Sequence, residues 1–295
     1  MSINLTYIAS SGNSYNLKGD GLRSKSANYH TWNWIPNGTQ LQFGKRLANF
    51  SRDAAVYETR LIMDKSIESR KTLVDNLHED FERDVRFQTP GRIVWGDWYI
   101  ECYITASSTF PDPNQWWTDN DITLWCPRPF WVKERTRSFE PIAGGGPSSP
   151  IVGTGQAGYM TLGGGAQTFL DYTFDFAYDF YRDLSGGETW ARDFPFESDF
   201  RMVIYGEVAN PRVVINNHVY QVNDTVGAGE YIIIDSRTNT LIKNDGTTDI
   251  NIFDFRDKTS SVFQKLPGGS LNINWSGLFG FDLTVYEERS EPRWS

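Results

Sequence analysis

One stretch of this sequence, Asp64 to about Val85, reads clearly as helix, and that scarcity restricts the fold more than any other feature. Ile67, Val74, Leu77 and Phe81 recur there at helical spacing, with Lys, Arg and Glu on the opposite face. Asp64 is placed to cap this helix, and Glu68 brings negative charge to its first turn, where the helix dipole favours it. A single amphipathic helix needs an apolar surface to cover, and the rest of the chain offers strands. Arg92–Ile100 places β-formers on both sides of a Gly96-Asp97 turn pair and reads as a hairpin. Ile122-Thr123-Leu124-Trp125 is a further strand, ended by Pro127 and Pro129, which cannot sit inside a paired ladder. In the second half, short β-rich runs return at Phe200–Tyr205, Arg212–Ile215, His218–Val222, Tyr231–Ile234, Ser270–Trp275 and Phe279–Tyr286. Asn216-Asn217 and Asn244-Asp245-Gly246 supply turn chemistry between some of them. The expected class is mainly β with one helix: a β-sandwich-like first domain and a jelly-roll or β-sandwich second domain.

Between these halves the composition changes. Eleven Gly and Pro residues crowd the 23 positions from Ala143 to Gly165, a linker or long-loop composition. The expected organisation is therefore residues 1–140, a Gly-rich linker or loop at 141–165, and a second domain at 166–295. Charge divides along the same line. Residues 1–140 hold 17 basic and 17 acidic side chains, whereas 141–295 hold 11 and 20, so the net charge of −9 belongs to the second half. That balance argues against nucleic acid as a partner, which calls for a basic footprint. No apolar run reaches 18 residues, so no membrane-spanning helix is expected. The first residues have neither a basic nor an apolar leader region, so no secretory signal is visible.

Constellations that could carry chemistry are weak. Cys102 and Cys126 are too few for a disulfide framework or a thiolate zinc site, and both sit in strand-like apolar runs, so buried free thiols are expected. With no signal peptide visible, a reducing compartment is expected. His30, His78 and His218 show no metal-binding spacing and are expected to be structural, with His78 on the helix surface. Gly153–Gly158 spells G-x-G-x-x-G, but no helix pattern follows it, so no dinucleotide or other cofactor is expected. Asp171, Asp175, Asp179 and Asp183 recur every four residues beside Phe174, Phe176, Tyr178 and Phe180. Their spacing does not match a calcium loop, and a solvated acidic face over an aromatic one accounts for it. No serine-nucleophile elbow exists, and any glycosidase-like carboxylate pair would be an arbitrary choice. No catalytic or metal-binding residue is assigned. Trp190, Tyr205 and Trp275 are candidate stacking platforms for a sugar, and Trp95 and Trp98 are candidate anchors for a subunit or partner.

The ordered set of pieces resembles the distal tail proteins of long-tailed phages of Gram-positive bacteria, over nearly the whole chain. In the first half the resemblance lies in a β-rich start, the single helix, the hairpin Ile93–Ile104, and the closing Cys126-Pro127-Arg128-Pro129-Phe130-Trp131. In the second half it lies in Ile204-Tyr205-Gly206-Glu207, Asn210-Pro211, Gly229-Glu230-Tyr231, Ser261-Val262-Phe263, Trp275-Ser276-Gly277 and the ending Leu283–Arg289. The resemblance implies a galectin-like second domain and a structural, non-enzymatic role at the virion's tail tip. It further implies a homohexameric ring joining the major tail-tube protein to a tail-associated lysin, fibre or receptor-binding protein, with the hairpin in the subunit contacts. A second reading is a carbohydrate-binding module that attaches to host cell-wall glycan through the second domain.

Overall fold

A computed structural model of the chain describes residues 5–19, 21–25, 28–64, 66–111, 117–141 and 186–293. The Gly-rich stretch, its G-x-G-x-x-G and the aspartate series 171–183 lie outside those residues. The chain divides into two compact units, Met1–Glu134 with Glu288–Ser295, and Arg135–Glu287.

The first unit is built from β1 (Leu5–Ile8), β2 (Ser14–Asn16), β3 (Lys18–Gly19), β4 (Leu22–Lys25), β5 (Ile35–Gln40), β6 (Lys45–Ser51) and β7 (Ala55–Met63), then α1 (Ile67–Arg86), β8 (Gly91–Trp95), β9 (Trp98–Pro111), β10 (Thr118–Cys126) and β11 (Trp131–Phe139), which crosses into the second unit. The ladders run β2–β1–β8–β9–β10–β7–β4–β3, all antiparallel. The chain is thus mainly β with one helix. Gly96 makes the β8–β9 turn possible. Its φ of 60° is the left-handed value demanded at the first central position of a II′ hairpin turn, and Trp95 and Trp98 face each other across it. The alternating side chains of β7, Tyr57, Thr59, Leu61 and Met63, turn inward. They meet Ile93, Ile100, Cys102, Leu124 and Trp131 in one core, which Leu77 and Phe81 of α1 join.

The helix begins three residues later than the sequence suggests. Ser66, not Asp64, is its N-cap, and its hydroxyl donates to Ser69 Oγ at 3.0 Å instead of accepting from a backbone amide. Asp64 is drawn away because Arg23 holds its carboxylate in an ion pair.

The second unit adds β12 (Gly186–Trp190), β13 (Asp199–Tyr205), β14 (Val208–Ala209), β15 (Arg212–Ile215), β16 (His218–Gln221), β17 (Thr225–Val226), β18 (Tyr231–Asp235), β19 (Thr240–Asn244), β20 (Asp249–Asn251), β21 (Leu271–Trp275) and β22 (Gly280–Arg289). One ladder runs β20–β19–β18–β13–β22 and a second runs β12–β21–β15–β16, with β14–β17 as a separate pair. Asn216 and Asn217 have φ of 46° and 70°, the two left-handed residues of a I′ turn, and they join β15 to β16 with Ile215 opposite His218. Met202, Ile204, Ile232, Ile234, Phe281, Leu283 and Val285 of the first ladder pack with Val213, Ile215, Leu271, Ile273 and Trp275 of the second. Phe139 and Phe281 stack at 4.7 Å in the middle of this core. Truncating such a ring removes apolar contact and leaves a cavity that the surroundings fill only in part. Phe281→Ala is expected to destabilise the second unit by about 3–5 kcal/mol, read as a lower denaturant midpoint in equilibrium unfolding.

Candidate interaction surfaces

The helix carries two carboxylates on its buried face. Leu77, Asp80, Phe81 and Asp84 follow the spacing of one stripe, and Asp80 and Asp84 are 2% and 0% exposed. Asp84 accepts from Tyr7 OH at 2.6 Å, from the Ser10 amide at 3.0 Å and from Ser10 Oγ at 2.5 Å. Asp80 accepts from Tyr15 OH at 2.5 Å, Ser11 Oγ at 2.7 Å and Asn13 Nδ2 at 2.9 Å. Burial acts to raise the Asp80 pKa, but the hydrogen bonds from Tyr15, Asn13 and Ser11 outweigh it and hold the group below the usual range. Burial, with the carboxylate partner, pushes both tyrosines upward, so they stay donors. This network fastens the β1–β2 turn to the helix.

His78 does not lie on an open helix surface as the sequence suggests. Its Nε2 comes within 3.2 Å of Ser107 Oγ, 3.3 Å of Thr109 Oγ1 and 3.1 Å of Asn120 Nδ2, because α1 lies along β9. His218 contacts the Ser261 carbonyl at 2.8 Å, and His30 packs between Trp95 and Trp131 with centroids 4.9 and 5.6 Å away. Cys102 and Cys126 are buried free thiols on the adjacent strands β9 and β10. The hydrogen bond with Cys126, then burial, push the Cys102 thiol well up, away from the reactive thiolate. Among the described residues, no three His, Cys, Asp or Glu side chains gather as a metal site. No described helix is long and apolar enough to cross a membrane.

The aromatic residues singled out in the sequence separate into different roles. Trp98 is 6% exposed inside the first core, so its ring is not available as an anchor. Trp95 is half-buried at the same turn, with Lys18 Nζ 4.3 Å above its ring. Trp275 is 1% exposed, with its Nε1–H donating to the Phe279 carbonyl at 3.1 Å, and a sugar has no access to it. Trp190 is half-buried against the second core and sits at the opposite end of the β12–β21 ladder from Trp275. Half-buried Tyr205 belongs to the other ladder, where its ring lies over Gly280, leaving no space for a Cβ there. The three candidate platforms therefore do not converge.

Apolar exposure gathers instead on a feature the sequence reading left unassigned. β5 and β6 pair only with each other among the described strands and form an arm. Every residue from Leu41 to Phe50 is exposed, including Leu41, Leu47 and Phe50, and Phe43 at the tip is 87% exposed. A four-residue loop, Leu41–Gly44, closes the tip, with the Leu41 amide donating to the Gly44 carbonyl at 3.0 Å and Gly44 at φ 84°. Gly38 sits at a register shift against Arg46, where any Cβ would collide with the Arg46 carbonyl. Turns usually carry polar residues, so Leu41 and Phe43 flanking this one were the readable signal. At the arm's base, a cavity of about 500 Å³ opens beside Trp32, Ile35, Val56 and Tyr57. Burial pushes the Tyr57 phenol up to about 12, so it stays neutral there.

These features define a two-unit β protein with a paired arm that exposes Leu41, Phe43, Leu47 and Phe50. No protein-family model matches the chain, and no curated protein matches it in sequence. Its fold is that of phage distal tail and baseplate hub proteins. It is similar to the SPP1 Dit (gp 19.1) protein, described as a paradigm of hub adsorption apparatus in Gram-positive infecting phages, with a TM-score of 0.58 and 8% identity over 97% of this chain and 99% of that one. It is also similar to a chain of the phage P2 baseplate in its activated conformation, with TM-scores of 0.64 in the calcium form and 0.63 in the strontium form. Identity there is 12% and 13%, over 99% of this chain and 100% of each of those.

The carboxylate network sets an acid limit. Because Asp80 has a depressed folded pKa, the unfolded chain binds more protons through that window, and stability falls as pH drops through the folded value. Unfolding free energy is expected to decline below the ordinary aspartate pKa of about 3.9, and Asp80→Asn should flatten that decline. Denaturant titrations at stepped acidic pH decide this. Asp84→Ala leaves Tyr7 and Ser10 without their acceptor and is expected to cost about 3 kcal/mol; an unchanged midpoint would show that the network does not hold the helix.

Proposed function

We propose that this chain is a structural component of a phage tail tip or baseplate, building a homohexameric ring between the tail tube and the host-adsorption apparatus. The observation that carries this reading is the likeness to SPP1 Dit and the P2 baseplate chains over essentially the full length of both partners. Residues 1–140 form the ring and residues 166–295 face outward. The charge distribution supports that division, since a balanced first half approaches copies of itself with little repulsion while a −9 half favours solvent. The major tail-tube protein sits on one face, and a lysin, fibre or receptor-binding protein on the other. The role is scaffolding, without catalysis. Carbohydrate binding by the second unit ranks below it, because Trp275 is sealed in the core and Trp190 and Tyr205 belong to different ladders. Negative-stain microscopy and mass photometry of the purified full-length chain across a concentration series test the ring. Closed rings of uniform size are expected; particles that remain monomeric throughout would count decisively against it.

A further inference from the structure

We infer that the ring closes by a knob-in-pocket contact in which the arm tip of one copy, led by Phe43, enters the cavity at the base of the next copy's arm. The inference rests on the ring reading and specifies its contact. Phe43 is the most exposed large apolar side chain described, with Leu41 beside it on the same tip. Such exposure at a turn marks an interface. The cavity offers the matching surface: Trp32, Ile35, Val56 and Tyr57 contribute apolar walls, and about 500 Å³ accommodates an aromatic ring and a leucine. Both features belong to one unit, yet the tip cannot serve its own cavity. A strand rises roughly 3.3 Å per residue, so six residues of β5 hold Phe43 on the order of 20 Å from the arm's base.

Charge selects a second copy as occupant. Lys45 and Arg46 follow the tip and are exposed, while the charged lining of the cavity is net acidic, with Asp53 and Glu58 exposed and Arg52 half-buried. Lys45 Nζ donates to the Pro36 carbonyl along the arm, and Arg46 is a second exposed cation beside the tip. An apolar knob beside a cation meets an apolar pocket beside carboxylates, which steers approach and rejects the reversed orientation. The contact is heterologous: every copy presents one tip and one pocket. Heterologous contacts close into rings when their rotation closes, whereas isologous ones stop at dimers. At the register shift in the arm only glycine fits against the Arg46 carbonyl, so Gly38 lets β5 and β6 pair there.

The test uses the full-length chain. Phe43→Ser is expected to raise the concentration for half-assembly by roughly tenfold or more, as loss of a central anchor does, with an unchanged melting curve. Arg46→Glu should weaken assembly, and adding Asp53→Arg with Glu58→Arg to that chain should restore it. Mixing Phe43→Ser chains with Val56→Arg chains leaves a single usable tip–pocket pair per encounter, so dimers without rings are expected. Phe43→Cys with Val56→Cys in one chain should give, on oxidation, a ladder of linked copies; a link within single chains would overturn the contact. Rings that persist unchanged in Phe43→Ser and Val56→Arg chains sink the knob-in-pocket contact and leave the ring reading intact. A wild-type chain that never assembles sinks both.

Discussion

Two carboxylates buried on α1 determine how the first unit is put together. A buried carboxylate is tolerated only where donors surround it, because an unpaired one loses its hydration for nothing in return. Asp80 and Asp84 obtain their donors from Tyr7, Ser10, Ser11, Asn13 and Tyr15, all from one short hairpin near the start of the chain. That hairpin is in turn β8's partner, and β8 continues through Gly96 into β9. Gly91 shows how closely these pieces approach. A Cβ there would stand 2.6 Å from Asp84 Oδ2 and 2.7 Å from Tyr7 OH. Helix, hairpin and sheet thus share one junction with no room for a side chain at Gly91.

What was legible in the sequence was whatever depended on local backbone chemistry. Gly96-Asp97 and Asn216-Asn217 are turn pairs whose left-handed residues select the hairpins that flank them, and both hairpins form. The helix was readable from Leu77 and Phe81, yet its charged positions misled. Asp80 and Asp84 share their stripe with Leu77 and Phe81, and only distant tyrosines make burial of those carboxylates affordable. The same long-range dependence moved Asp64 from a cap to an ion pair with Arg23 and brought His78 against Ser107, Thr109 and Asn120. Pairings between residues tens of positions apart have no periodic signature.

Aromatic residues were the least legible, because a ring at a strand position fits a core and a surface equally well. Trp275 and Trp98 resolve into the two cores, where each completes a packed cluster. Among the rings left in solvent, Trp32, Trp34, Phe43 and Phe50 come from a segment with weak strand patterning, where Gly38 and Gly44 interrupt any alternation. A strand pair without further neighbours cannot bury its side chains within its own chain. Leu41, Phe43, Leu47 and Phe50 therefore remain exposed as a consequence of topology.

That exposure has a cost that argues about function. A solvent-facing apolar arm invites nonspecific association, and edge pairs of this kind are normally blunted with charge or proline. Here Lys45 and Arg46 sit beside the apolar tip and Pro36 stands near the arm's base, so the edges are guarded while the tip is not. The two halves of the chain solve solubility differently. The second half carries the whole net charge, whereas the balanced first half carries the arm with its exposed Phe43 and Phe50. A charge-balanced half approaches a copy of itself without long-range repulsion, which is the condition that the proposed ring sets for the first half.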